Sequence, residues 1–238
     1  MDNFIITGSS SGIGKFISKQ LSKKENVIGI SRSKPANETQ EFKNLIFDFK
    51  NEITNEKIES LTNLLKNKKF TLIINAADNF SDFRNGSIDF NKSLELLKVN
   101  YINQIMFFLK LAETKNLSIE KLLFISSYDV FSGKISSSFG YVLSKSLLFE
   151  TAKILNRYFK QVKITPKIVI LGGVDTKMYN NNKIEHEAKN HETLLKPELV
   201  ASKIIEFIYN KKEILFLPKK NKYLAMFRYI VEFFKFTN

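Results

Sequence analysis

The sequence contains no cysteine, which excludes disulfides, thiolate metal sites and cysteine nucleophiles. Proline occurs only four times, and no glycine- or serine-rich linker divides the chain. No run approaches the ~18 consecutive apolar residues of a membrane span, and the first residues lack the pattern of a secretory signal peptide. We therefore expect a single domain over residues 1–238 in a reducing, cytoplasmic compartment.

Arginine is also scarce, although the chain is strongly basic. Lys and Arg total 37 against 24 Asp and Glu, a net charge of +13, but only four of the cations are arginines. Arginine is the residue favoured for bidentate recognition of phosphates and bases. The excess of Lys, Asn, Ile and Phe is more typical of AT-rich coding sequence. We therefore expect a solvated lysine surface and no nucleic-acid partner.

Short apolar runs alternate with longer amphipathic stretches along the chain. The runs are continuously apolar, which is typical of a parallel sheet covered on both faces. This alternation predicts an α/β doubly wound fold with a seven-stranded parallel sheet. The predicted strands are Phe4–Thr7, Val27–Ser31, Leu45–Phe49, Leu72–Asn75, Leu122–Ser126, Lys167–Leu171 and Glu213–Leu217. The clearest predicted helices are Gly14–Lys23, Asn55–Lys66, Ser93–Lys115, Tyr141–Phe159 and Pro197–Asn210.

A glycine-rich turn, TGSSSGIG over Thr7–Gly14, joins the first predicted strand to the first helix. Glycines there permit a tight turn and a close approach of the backbone to a phosphate. The helix N-terminus adds unpaired amides and the positive end of the helix dipole. The spacing is G-x-x-x-G-x-G rather than G-x-G-x-x-G, and its position in the first βαβ unit predicts a dinucleotide site.

Tyr141 and Lys145 lie four residues apart in a predicted helix, so their side chains share a face. A lysine cation close to a phenol favours the phenolate and lowers the tyrosine pKa. Such a phenol can exchange a proton with a carbonyl/alcohol pair near neutral pH. By itself, a Tyr-x-x-x-Lys pair is common on amphipathic helices.

Five motifs, in order, resemble those of the short-chain dehydrogenases/reductases, and the length suits the classical subfamily. They are the glycine turn, Asn75-Ala76-Ala77, Asn100 in a helix, Ser126-Ser127 at a strand end, and Tyr141-x-x-x-Lys145. The resemblance covers residues 3–176. It implies a Rossmann-like fold and a nicotinamide-dependent oxidoreductase that interconverts a small-molecule carbonyl and alcohol. It also implies a homodimer or homotetramer.

The resemblance further implies roles for single residues. Tyr141 is the expected general acid/base, and Ser127 is expected to hydrogen-bond the substrate oxygen. The gap from Ser127 to Tyr141 is one residue longer than usual, which a loop tolerates, and Ser126 is an alternative to Ser127. Lys145 would hold the nicotinamide ribose, and Asn100 would complete a proton relay through water. The residues expected at the cofactor are Gly8, Ser10, Ser11, Gly12, Ile13, Gly14, Ser31, Arg32, Asp48, Asn75, Ala76, Tyr141, Lys145 and Thr176.

The end of the second strand predicts which cofactor is used. In dinucleotide folds an acid there binds the ribose 2′-hydroxyl, whereas a nearby Arg accommodates a 2′-phosphate. Ser31-Arg32-Ser33-Lys34 contains no acid, which predicts NADP(H) with Ser31 and Arg32 at the 2′-phosphate. The alternative for Arg32 is a solvated loop residue. Asp48 would lie near the adenine by resemblance, or would only form a turn.

Two departures from the family pattern leave other functions open. Ala77 and Asp78 replace the usual glycine region after Asn75, and Gly172–Thr176 stands where the family has Pro-Gly before a Thr. One alternative is an enzyme of surface-polysaccharide or nucleotide-sugar metabolism, suggested by the polar loop 172–196. The other is a catalytically weak NADP-binding regulatory or scaffold protein.

The remaining features are two histidines and a basic, aromatic tail. His186 and His191 lack metal-ligand spacing, so we predict no metal. In the tail, residues 219–238, apolar side chains recur at helical spacing. We expect this helix to pack on its own domain or against another subunit rather than on an anionic membrane surface.

Overall fold

The protein is described by a computed structural model over residues 1–34, 42–65, 68–84, 87–131, 138–158, 163–181, 194–223 and 225–227. The strands in these ranges are β1 (Asn3–Thr7), β2 (Asn26–Ser31), β3 (Phe42–Ile46), β4 (Lys69–Ile74), β5 (Phe83–Arg84), β6 (Ser87–Ile88), β7 (Ser118–Ser127), β8 (Thr165–Leu171) and β9 (Ile214–Leu217). Seven of them form a sheet in the order β3-β2-β1-β4-β7-β8-β9, and all its strand pairs are parallel. The short strands β5 and β6 form a separate antiparallel pair. The predicted doubly wound, seven-stranded parallel sheet is confirmed.

Helices connect the strands and cover both faces of the sheet. They are α1 (Gly12–Leu21), α2 (Asn55–Leu65), α3 (Phe90–Leu97), α4 (Asn103–Glu113), α5 (Phe139–Tyr158), α6 (Lys177–Asn181) and α7 (Pro197–Tyr209). A π-helical turn, Lys98–Ile102, joins α3 to α4, and a 3₁₀ turn, Tyr128–Phe131, follows β7.

The sheet separates two apolar cores, and successive strand residues alternate between them. Ile5 of β1 packs with α2, α4 and α5, whereas its neighbours Phe4 and Ile6 pack with α1 and α7. Leu122 and Leu123 of β7 divide between the cores in the same way. Because both faces are covered, every position of such a strand must be apolar, which explains the continuous apolar runs of the sequence.

Several predicted elements differ from the structure in their bounds. The predicted helix Ser93–Lys115 corresponds to α3, the π-helical turn and α4, which follow one another without a break from Phe90 to Glu113. The third strand lies over Phe42–Ile46 rather than Leu45–Phe49. Phe47 and Phe49 are buried in the core after the strand has ended, so their apolar character reflects burial and not strand pairing.

Part of the predicted loop and tail falls outside the described residues. This holds for 182–193 of the loop, which includes both histidines, and for 224 and 228–238 of the tail. In the rest of the tail Ala225 is buried, whereas Tyr223, Met226 and Phe227 are exposed. None of the helices described is long and apolar enough to cross a membrane.

Candidate active site

The predicted catalytic residues come from three elements that meet where the parallel strands end, here termed the carboxyl edge of the sheet. Ser127 is the last residue of β7, Asn100 lies in the π-helical turn, and Tyr141 and Lys145 lie on α5. The glycine turn after β1 opens at the same edge. Ligands of open parallel sheets bind outside this edge, so the chemistry-bearing residues share the expected location.

Lys145 is a buried cation directly behind Tyr141. Its side chain is only 3% exposed, and its Nζ lies 5.6 Å from the centroid of the Tyr141 ring. The ammonium donates a hydrogen bond of 3.0 Å to the backbone carbonyl of Ile125 in β7. Burial lowers the pKa of Lys145 to about 8. The cation therefore persists at neutral pH and is lost in mildly alkaline solution.

The predicted lowering of the Tyr141 pKa is wrong for this structure. Burial of the phenol raises its pKa well above the usual value of 10, and the negative charge of Asp129 raises it further. A hydrogen bond with the Ser127 side chain acts in the opposite sense but is the smaller effect. The Lys145 ammonium, which donates to the Ile125 carbonyl, does not outweigh these two effects on the pKa of Tyr141. Tyr141 is consequently a neutral phenol, a proton donor, at physiological pH.

The two neighbouring serines have different surroundings. The Ser126 hydroxyl donates to the backbone carbonyl of Lys145 at 2.8 Å, which ties β7 to α5. The Ser127 hydroxyl donates to the Asp129 carboxylate at 3.1 Å, accepts from the Asp129 amide at 3.2 Å, and contacts Tyr141. Of the two serines, Ser127 is therefore the one beside the phenol.

Asn100 is fully buried and uses its whole amide to hold neighbouring segments. Its Oδ1 accepts from the Asp78 amide at 2.7 Å, and its Nδ2 donates to the Asp78 carbonyl at 2.9 Å. Nδ2 also donates to the Ser144 hydroxyl at 3.2 Å, and that hydroxyl donates to the Tyr141 carbonyl at 2.7 Å. Asn100 thus links the segment after β4 to the helix that carries Tyr141.

Sequence reasoning missed Asp82, a fully buried carboxylate at the start of α5. Its oxygens accept hydrogen bonds from the amides of Phe139 and Gly140 at 2.9 and 2.7 Å, and from the Ser93 hydroxyl at 2.6 Å. Amides in a first helical turn lack partners within the helix, and a carboxylate there also complements the helix dipole. Asp82 therefore fixes the end of α5 that bears Tyr141. Because Asp82 and Phe139 are 57 residues apart in the sequence, no local pattern predicts this contact.

The glycine turn leaves room for a phosphate at one glycine only. A Cβ on Gly8 would lie 2.8 Å from the Ala76 Cα, and a Cβ on Gly14 would lie 2.2 Å from the Gly8 carbonyl oxygen. Gly12 has a positive φ of +50°, and a Cβ there would meet nothing closer than Thr176 Cγ2 at 3.9 Å. Ser11, the exposed N-cap of α1, makes no capping hydrogen bond with its side chain. The space next to Gly12 therefore lies beside the unpaired amides that begin α1, and a pyrophosphate needs both the space and the amides.

The other predicted cofactor residues occupy the same edge, but several hydroxyls and carboxylates are used internally. Thr7 Oγ1 accepts from the amides of Asn75 and Ala76 and so joins β1 to β4. The Ser31 hydroxyl is buried against Ser33 and Asn44, and Asp48 accepts from the Lys50 amide in a turn. Thr176 accepts from the Tyr179 amide at the start of α6. Ser10 and Ile13 are half-buried in the glycine turn.

Arg32 lies in the loop after β2 with its side chain 54% exposed, so both interpretations of this residue stay open. Its guanidinium forms a bidentate ion pair with Asp78, and both N–O distances are 3.0 Å. In the part of the chain that is described, no three His, Asp or Glu side chains are grouped as a metal ion would require.

Comparison with known proteins relates this geometry to solved structures. No family model and no curated protein matches the sequence. A short-chain dehydrogenase family protein from Francisella tularensis is 24% identical, over 91% of this chain and 96% of that one, with a TM-score of 0.74. A short-chain dehydrogenase from Burkholderia cenocepacia in complex with NADP is 15% identical, over 94% and 91%, with a TM-score of 0.76. One from Sphingobium yanoikuyae in complex with NADPH is 12% identical, over 99% and 95%, with a TM-score of 0.72.

At these identities the likeness concerns the backbone, and it extends over nearly the whole length of each chain. The motifs that suggested the resemblance occupy the carboxyl edge of that same backbone. The chain therefore has the fold of the short-chain dehydrogenases/reductases.

Proposed function

We propose that the protein is an NADP(H)-dependent short-chain dehydrogenase/reductase that reduces a small-molecule carbonyl to an alcohol, or catalyses the reverse. The observation that carries this proposal is the grouping of Tyr141 with Lys145 and Ser127 at the carboxyl edge. The open space above Gly12, beside the unpaired N-terminus of α1, lies at the same edge.

The residues present fit a bound dinucleotide. The α1 amides and Ser11 would hold the pyrophosphate, and Thr176 borders the open space on its far side. Arg32 is the candidate for the 2′-phosphate, because the Ser31 hydroxyl already donates within the protein. NADP and NADPH in two structures of the same fold support this choice. When bound, the nicotinamide supplies the hydride.

The protein's own groups handle the proton. Tyr141, a neutral phenol because of its raised pKa, donates its proton to the substrate carbonyl oxygen as that oxygen becomes an alcohol. Ser127 donates a second hydrogen bond to the same oxygen after turning from Asp129. The buried Lys145 cation stabilises the phenolate that remains. The raised pKa of Tyr141 keeps the phenol protonated at the start of carbonyl reduction.

The test is NADPH oxidation over a panel of ketones, acyl thioesters and keto-sugars, monitored at 340 nm. With the best substrate, Tyr141→Phe should reduce kcat by at least about 100-fold and leave NADPH affinity unchanged. Tyr101→Phe is the matched control, because its hydroxyl bonds to Thr151, ten residues along α5 from Tyr141. Full activity of Tyr141→Phe would overturn the mechanism. NADPH binding without turnover on any substrate would favour the regulatory or scaffold alternative.

A further inference from the structure

The ion pair between Arg32 and Asp78 crosses the region where the dinucleotide is expected. Arg32 follows β2 and Asp78 follows β4, and β1 lies between these strands in the sheet. Adjacent strands are about 4.8 Å apart, so the pair spans about 10 Å over the end of β1. The glycine turn begins at that end, and the strand order reverses between β1 and β4, which is the position where such sheets bind dinucleotides.

Arg32 and Asp78 differ in how exposed their side chains are and in how firmly their backbones are held. The Arg32 side chain is 54% exposed, whereas that of Asp78 is 18% exposed. The backbone of Asp78 is held on both sides by Asn100, which bonds to its amide and to its carbonyl. Arg32 can therefore turn away from the pair, whereas the backbone of Asp78 is held in place at the site.

The Asp78 carboxylate and a cofactor 2′-phosphate require the same donors. A guanidinium presents a planar fork that binds two oxygens of either a carboxylate or a phosphate. Both Nη1 and Nη2 of Arg32 are already committed to the two carboxylate oxygens of Asp78. A phosphate at Arg32 must either displace this carboxylate or bind at the remaining Nε edge, and in both cases it lies close to the negative charge of Asp78.

We propose that Asp78 is a cofactor-specificity residue whose carboxylate competes with the 2′-phosphate for Arg32 and so weakens binding of NADP(H) relative to NAD(H). The proposal rests on the proposed function, since it assumes that a dinucleotide binds at the glycine turn. NAD(H) brings no 2′-phosphate and leaves the ion pair intact. Asp78, which stands where the family has its glycine region, would thus affect which cofactor is preferred.

A neighbouring ion pair offers a matched control for net charge. Lys50 pairs with Glu95 near the same place, and this hydrogen bond is the main cause of a raised Lys50 pKa. The charges of Asp78 and Arg32 act on Lys50 as well, so the two pairs are close in space. Glu95→Gln removes one negative charge from this neighbourhood without changing the acceptor of Arg32.

The experiment measures dissociation constants of NADP⁺, NAD⁺ and 2′,5′-ADP by calorimetry for the full chain and its variants. Asp78→Asn should tighten NADP⁺ and 2′,5′-ADP by roughly 5- to 30-fold, with NAD⁺ changed by less than about 3-fold. Glu95→Gln should shift the NADP⁺/NAD⁺ ratio by less than about 3-fold. In an Arg32→Met background, Asp78→Asn should tighten NADP⁺ by less than about 3-fold, because the contested fork is absent and only the repulsion between the two anions is relieved. Asp78→Asn keeps the backbone bonds to Asn100, and circular dichroism checks its fold.

An unchanged or lowered NADP⁺/NAD⁺ preference in Asp78→Asn would overturn the role of Asp78 while leaving the proposed function intact. An equal gain in Glu95→Gln would also overturn it, since a general charge effect would then suffice. Failure of the wild-type protein to bind any of the three ligands would overturn the proposed function, and the role of Asp78 with it.

Discussion

Replacing the buried Lys145 by Met should change how stability depends on pH. The pKa of Lys145 falls from 10.5 in the unfolded chain to about 8 in the folded protein. Between these values the unfolded chain binds the extra proton, so stability must rise with pH across this window. A shift of about 2.5 units corresponds to roughly 3 kcal/mol, of which about 2.5 kcal/mol appears between pH 7 and pH 10. Lys145→Met should lack this rise.

Stability at a single pH is less informative than this slope. At pH 7 the variant escapes the burial of a charge, but it leaves the Ile125 carbonyl without its 3.0 Å donor. An unpaired buried carbonyl costs about 1–3 kcal/mol, so the two effects nearly cancel. The free energy of unfolding should therefore differ little at pH 7, and the wild type should be more stable by about 2–3 kcal/mol at pH 10.

The assay is urea unfolding at pH 7, 8, 9 and 10, followed by circular dichroism because the chain has no tryptophan. Lys153→Met is the matched control: Lys153 lies on the same helix and pairs with Glu150 at the surface. This control should retain the wild-type pH dependence. Identical pH profiles for wild type and Lys145→Met would refute the inference that a buried, titrating ammonium lies behind Tyr141.

Three further predictions concern activity and assembly. Above about pH 8, kcat/KM for carbonyl reduction should fall as the Lys145 cation is lost, which a pH–rate profile measures. Asp82→Ala should lower kcat by roughly 10- to 100-fold, because the start of α5 loses its hydrogen bonds to the carboxylate. The NADPH dissociation constant should stay nearly unchanged, because the Asp82 carboxylate bonds to α5 and Ser93 and not to the glycine turn, and Asp82→Asn should restore part of the lost kcat. We also propose a homodimer or homotetramer: Met106 and Leu109 of α4 and Ile102 of the preceding π-helical turn are exposed apolar side chains, and Met106→Glu should lower the mass measured by analytical ultracentrifugation.

The sheet and most helices were predictable because burial on two faces dictates composition. Continuous apolar runs such as Leu122–Ser126 must lie between two cores, and the structure gives them both cores. Lys167 shows the limit of this reasoning. The pattern places it at the start of a strand, but its ammonium is buried and donates to the carbonyl of Phe207 in the last turn of α7 and to those of Asn210 and Lys212 just after it. Nothing in the local sequence indicates that a helix end supplies those acceptors.

The candidate site shows a related division between local and distant causes. The i, i+4 spacing correctly put Tyr141 and Lys145 on one helix face, because that relation depends on the backbone alone. Their pKa values depend on what surrounds the pair. Burial and the charge of Asp129 raise the pKa of the phenol, so the net shift is opposite to the lowering that the lysine alone predicts. The sequence spacing therefore predicts that the two side chains are close, whereas their pKa values depend on the residues that surround them.

Asp78 unites two parts of the site that the sequence presents separately. Its backbone binds Asn100, which leads through Ser144 to Tyr141, and its carboxylate binds Arg32 at the expected 2′-phosphate position. These links cross 22 and 46 residues of sequence, too far for any periodicity to reveal. A glycine at this position could keep the backbone bonds but could not hold Arg32. The side chain of Asp78 therefore bears on the cofactor, and its backbone bears on the position of the catalytic helix.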